Sequence, residues 1–204
     1  MKYLLSLFCF FISFSVLSQK DEVYTKSLVQ EFTSKLQARG VQEYFTTAHY
    51  CLGSNSMFTI GDTMCATSGS YVEYYIVWNE DGKDFLKKID NCGLYFTHEF
   101  DNASLSEFYT REYPALIDDE VKPYRSETYS GTPESRKTPQ PCMREFQFTK
   151  GTYITEKKFN LFAISNDSDG KNLNYAFNQT LKLVALNKKI EETIATLTFK
   201  RQPE

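Results

Sequence analysis

The stretch Tyr71–Asp90, YVEYYIVWNEDGKDFLKKID, decides the fold class. Its aromatic and β-branched run is cut by Glu80-Asp81-Gly82, where an Asp-Gly pair supplies the left-handed backbone positions of a tight hairpin turn. The segment predicts an antiparallel hairpin with strands over 71–79 and 83–90. The near-continuous run Tyr74–Trp78 predicts a strand covered on both faces, or covered on one face with aromatic packing on the other.

Working outward, residues 94–100, 145–148, 152–155 and 159–164 carry the same aromatic and β-branched signature and are expected as further strands. Upstream, Val23, Leu28, Phe32, Leu36 and Val41 recur at near-helical spacing between charged residues, and Gly40 can close that helix. Ser104-Leu105-Ser106-Glu107 has the capping-box form and predicts a short helix that Pro114 kinks or ends. Near the C-terminus, Leu183, Leu186, Ile190, Ile194 and Leu197 step by three and four, predicting a second amphipathic helix. Residues 126–140 hold almost nothing to bury and are expected as an exposed loop. The expected class is α+β: a mainly antiparallel sheet packed by an N-terminal and a C-terminal amphipathic helix in a single domain.

Residues 1–18 have the three-part form of a cleavable secretory leader. Lys2 is followed by an apolar run from Tyr3 to Leu17, and Gln19, Lys20, Asp21 and Glu22 then end it too early to cross a bilayer. Cys9 sits mid-run behind Leu7-Phe8, where a lipid-modified cysteine needs small residues. The mature chain, 204 less 18 or 186 residues from Gln19, has no second apolar run long enough to span a membrane, and a periplasmic or secreted location follows. Losing Lys2 leaves 22 basic against 26 acidic side chains, a net charge of −4. That balance does not favour nucleic acid, and the pairs Lys87-Lys88, Lys157-Lys158 and Lys188-Lys189 read as solvated surface.

Cleavage leaves Cys51, Cys65, Cys92 and Cys142, an even number in an oxidising compartment, so two disulfides are expected. Their gaps match no zinc-site spacing, and no metal is expected. If residues 44–52 pair with 57–65 across Gly53-Ser54-Asn55-Ser56, Cys51 falls opposite Phe58 and Cys65 lies roughly 23 Å further along, out of reach. Cys92 falls opposite Tyr71, a short loop from Cys65. The favoured pairing is therefore Cys65 with Cys92 and Cys51 with Cys142.

Catalytic chemistry has few carriers. The only histidines are His49 and His98, both in expected strands. His98-Glu99 opens like a metalloprotease helix, but position 102 is Asn where the second imidazole must stand. Asp167-Ser168-Asp169-Gly170 resembles half a calcium loop, yet Ser165 and Ala176 occupy the positions of the first and last ligands, so a polar turn is expected. Asn102-Ala103-Ser104, Asn166-Asp167-Ser168 and Asn178-Gln179-Thr180 fit the N-glycosylation pattern, which acts only in a host with that machinery. No cofactor is implied.

The leader ending before Gln19, the hairpin Trp78-Asn79-Glu80-Asp81-Gly82-Lys83, the segment Lys87-Lys88-Ile89-Asp90-Asn91-Cys92-Gly93 and the high Lys and Asn usage resemble small exported proteins of Bacteroidetes-type bacteria. The resemblance implies export and brings no activity or site residue.

Three functional readings follow. The first is a periplasmic or secreted binding or interaction domain for a protein or glycan. Removing five aromatics with the leader leaves 27 of 32 in the mature chain, and Tyr71, Tyr74, Tyr75, Trp78 and Tyr95 are candidates for an exposed platform. The second is a hydrolase using His98 or His49 with Glu73, Glu99 or Asp101. The third is an inhibitor or immunity-type protein using the 126–140 loop. The scarcity of catalytic groups leans away from an enzyme.

Overall fold

The computed structural model describes residues 21–54, 57–60, 63–67, 69–100, 104–127, 141–166 and 171–203. The leader and its cut before Gln19, Asp101, the Asn102 triplet, the 126–140 loop beyond Glu127 and the turn at 167–170 lie outside the described residues.

The chain runs through helix α1 (Glu22–Ala38) and strands β1 (Glu43–Cys51), β2 (Met57–Ile60), β3 (Thr63–Ala66), β4 (Val72–Glu80), β5 (Lys83–Asp90), β6 (Gly93–Leu94) and β7 (His98–Phe100). Helix α2 (Ser104–Asp118), strands β8 (Cys142–Lys150) and β9 (Tyr153–Asn160), a 3-10 turn (Leu161–Ile164) and helices α3 (Tyr175–Asn178) and α4 (Lys182–Ala195) follow. Seven strands make one antiparallel sheet in the order β6-β5-β4-β1-β8-β9, with β7 also on β5, while β2 and β3 form a separate hairpin. The fold is α+β.

The β4–β5 hairpin turns at Asp81 and Gly82, with φ of 53° and 78°, the left-handed pair that the sequence demanded. The β8–β9 hairpin turns at Gly151-Thr152, where Gly151 has φ 60° and Thr152 does not share it. A glycine alone at the first central position is the type II′ arrangement.

Alternation along the strands divides the apolar side chains between two layers. Phe45, Tyr75, Val77, Leu86, Phe146 and Phe148 meet α2 and α4 through Leu105, Phe108, Leu116, Leu183, Leu186 and Ile190. On the other face, Ala48, Tyr74, Ile76, Trp78 and Ile89 pack with Leu36 of α1. Each Val, Leu, Ile or Phe among them, removed almost wholly from water, contributes about 1.5–3 kcal/mol. Asp84, buried in β5, holds the first turn of α2 from outside: its Oδ2 accepts from the backbone N–H of Leu105 (2.8 Å) and Ser106 (3.1 Å).

Both disulfides form as expected, Cys51–Cys142 and Cys65–Cys92. The hairpin used to reach that pairing does not: β1 lies between β4 and β8, and β2 pairs with β3. Cys51 stands directly across the ladder from Cys142.

Other expectations are corrected. The strand expected over 94–100 is interrupted, giving β6 and β7 around a bridge from Tyr95 to Arg201. The two expected over 152–155 and 159–164 are one strand, β9, followed by a 3-10 turn capped by the Asn160 side chain. Pro114 does not end helix α2, which continues to Asp118: the missing N–H forfeits one backbone bond, while buried Leu116 anchors the last turn. Lys87 and Lys88 are buried, each satisfied by acceptors supplied from other parts of the chain.

Candidate functional site

Of the residues singled out in the sequence, Tyr71, Glu73, Tyr75 and Tyr95 gather at the end of the sheet near Cys92, on the face opposite α1, whereas Tyr74 and Trp78 lie on the α1 face. Asp90 is fully buried. Its Oδ2 accepts from the hydroxyls of Tyr71 (2.7 Å) and Tyr95 (2.8 Å), and its Oδ1 accepts from the Cys92 N–H (2.7 Å). Lys88 Nζ lies 2.5 Å from Glu73 Oε1 and 3.6 Å from Asp90 Oδ2, over the rings of Tyr95 and Phe199. Burial raises the Tyr71, Tyr75 and Tyr95 hydroxyls well above the ordinary phenol range, and the nearby Asp90 and Glu73 carboxylates add to it. These donors and acceptors satisfy one another. The cluster ties β4, β5 and the Cys92 turn together.

Tyr74, Tyr75, Trp78 and Tyr95 are buried and Tyr71 is half-buried, so their rings lie within the fold instead of forming an exposed platform. Trp78 stacks on Phe85 and donates to Glu80 Oε2 at 2.9 Å. Their β-branched and aromatic neighbours signalled a strand, and in a sheet covered on both faces that same signal means core.

His49 is 9% exposed, and its Nε2 has no hydrogen-bond partner. Burial, then the charges of Arg144 and Lys88, push it down to about 3. Glu73 stands opposite in the ladder but is engaged by Lys88 and Tyr71. His98 meets Phe199 edge-on at 5.0 Å, and Glu99 pairs with Lys83. The structure brings neither imidazole into a hydrogen bond with Glu73 or Glu99. Among the described residues, no group of three or more His, Cys, Asp or Glu is placed to hold a metal ion, and no helix is long and apolar enough to cross a membrane.

The opposite side of the sheet carries a different kind of surface. Helix α1 lies over β4, β5 and β6 and leaves the β8–β9 side of that face open. The result is a groove of about 830 Å³ walled by Val29, Gln30, Thr33 and Gln37 of α1 and by Gln147, Ile154, Glu156 and Lys158 of β8 and β9. Thr46, Ala48 and Tyr74 form its floor. At one end Tyr50 donates to Glu145 Oε1 (2.5 Å), and Lys158 donates to the Tyr50 hydroxyl (2.8 Å) and pairs with Glu145. Burial pushes the Glu145 carboxyl up, but the hydrogen bonds from Lys158 and Tyr50 outweigh it and hold it below the ordinary value. A larger, more open cleft of about 1510 Å³ lies at the far end, between Arg39, the Asp81-Gly82 turn and α2.

The groove runs beside β9, and the two edges of the sheet differ. At the β5 edge, β6 and β7 add on, and the C-terminal tail then pairs with residues 94–96: Phe96 N donates to Lys200 O (2.9 Å) and Gln202 N to Leu94 O (2.8 Å). Lys87 locks that tail by donating to the Tyr95 carbonyl and to Gln202 Oε1 (3.0 Å), and burial lowers its ammonium to about 8. At the β9 edge, no described residue pairs with the outer backbone groups. Tyr153 and Ile154 there are 76% and 58% exposed.

Sequence reasoning missed this edge. The charged run Glu156-Lys157-Lys158 separated two apolar pieces and broke the strand pattern, although lysines within a strand are themselves a mark of an edge. Comparison with protein-family models, curated proteins and solved structures finds no match to this chain.

Proposed function

We propose that this chain is an exported, disulfide-braced interaction domain, periplasmic or secreted, that takes up an extended protein segment along β9. Export is supported by the leader pattern together with two disulfides, which persist in oxidising compartments. The binding reading is carried by one observation: the sheet closes one edge with two strands and a tail, while no described residue pairs with the outer side of an eight-residue strand at the other. Strand addition to such an edge gains main-chain hydrogen bonds, and the pockets alongside select side chains. Here the α1 groove receives whatever side chains an added strand turns to that face.

The hairpin geometry states which backbone groups are on offer. Lys150 and Tyr153 close the two-residue turn as a bonded pair, so bonding to β8 alternates through 155, 157 and 159, and the N–H and C=O of Ile154, Glu156 and Lys158 face outward. Glu156→Pro therefore removes an outward donor while sparing the bonds to β8. Random peptides displayed on phage, panned on the exported protein and on Glu156→Pro, should enrich on the first and fail on the second. Equal enrichment on both, or none on either, refutes the edge reading. N-terminal sequencing of the exported protein should begin at Gln19; an intact leader refutes export.

A further inference from the structure

We infer that the segment taken up by β9 runs antiparallel and carries, from its N-terminus, two acidic residues, a basic residue, a β-branched residue and an aliphatic residue, facing Lys158, Lys157, Glu156, Thr155 and Ile154 in turn. The inference rests on the edge-binding reading and names the chemistry of its partner.

Residues directly opposite each other across an antiparallel pair share a face and interact in proportion to their fit. The inner partner of β9 already follows this rule: Glu145 faces Lys158, Gln147 faces Glu156, and Thr149 faces Ile154. An outer strand meets the same β9 side chains from the other side. Lys158 and Glu156 sit on the groove face, and Ile154, 58% exposed, calls for an aliphatic neighbour there. Strand alternation turns Lys157 to the opposite face; it makes no ion pair among the described residues, so an acidic residue opposite it gains a partner that no described residue supplies.

The same charges argue against a second copy of this chain. Two symmetric antiparallel registers engage nearly the whole of β9. One sets Glu156 against Glu156 of the second copy, and the other sets Lys157 against Lys157 at its centre while pairing each Glu156 with Lys158, so neither is complementary at every position. Like charges directly opposite destabilise a ladder. A partner of different sequence avoids both clashes.

The test uses the exported protein and two synthetic peptides capped at both ends, one with the core Glu-Glu-Lys-Val-Ile and one with Lys-Lys-Glu-Val-Ile, their binding read by fluorescence anisotropy. The first should bind at least about tenfold tighter, because three facing pairs change from opposite to like charge between them. Lys157→Glu should shift preference towards Glu-Lys-Lys-Val-Ile. If both peptides bind equally well and Glu156→Pro abolishes both, the edge reading stands and the charge order is wrong. If neither binds, or Glu156→Pro leaves binding intact, the edge reading falls and this inference with it.

Discussion

Replacing His49 with phenylalanine should stabilise the protein, and by more in acid than at neutral pH. The imidazole is buried with Nε2 unpartnered and its protonation pushed down to about 3 by burial and by the charges of Arg144 and Lys88. In the unfolded chain it titrates near 6.5. Between those values the unfolded state binds a proton that the folded state excludes, so stability rises with pH through the window. The stability is fully present above about 6.5 and lost as pH falls towards 3. At pH 4.5 the loss is two pH units at about 1.36 kcal/mol each, or about 2.7 kcal/mol. His49→Phe removes this titration and also the unpaired buried nitrogen, whose desolvation costs about 1–3 kcal/mol.

The assay is urea unfolding of both proteins at pH 7.5 and 4.5, followed by the fluorescence of Trp78, the chain's single tryptophan and 3% exposed. Carboxylates titrate alike in the two proteins, so their contributions cancel in the difference between them. That difference should widen by about 2.7 kcal/mol on acidification. Parallel pH curves, differing by a constant amount, refute the reasoning.

Other perturbations test the frame around the site. Asp84→Ala leaves the Leu105 and Ser106 amides at the start of α2 without their buried acceptor and should cost about 2 kcal/mol; a loss under about 0.5 kcal/mol in the same urea assay would show that the cap contributes little. Removing Cys65–Cys92 by paired serine substitution opens a loop of 27 residues. This should lower stability by about 3–4 kcal/mol and Tm by ~10 °C in calorimetry, and an unchanged Tm would mean that the β2–β3 hairpin is held without the crosslink.

Much of the fold was legible because its signals are local. Asp81-Gly82 specified a turn through backbone sterics within two residues, and the spacing of Leu183, Leu186 and Ile190 specified a helix through a period that the core then used. The candidate site was far less legible. The aromatic run Tyr74–Trp78 looked like a platform and became core, while Glu156-Lys157-Lys158 looked like a break and became the exposed edge. A charged run carries no mark of which strand lies beside it.

By itself the sequence determined the α+β class, the main helices, the tight turn at Asp81-Gly82 and an even complement of cysteines, since each depends on residues near one another or on composition. Only the tertiary structure decided that β1 lies between β4 and β8, that Lys87, Lys88 and His49 are enclosed, and that β9 ends the sheet. Those outcomes depend on which distant segments pair, and pairing order is settled by competition among many similar strands for the same core.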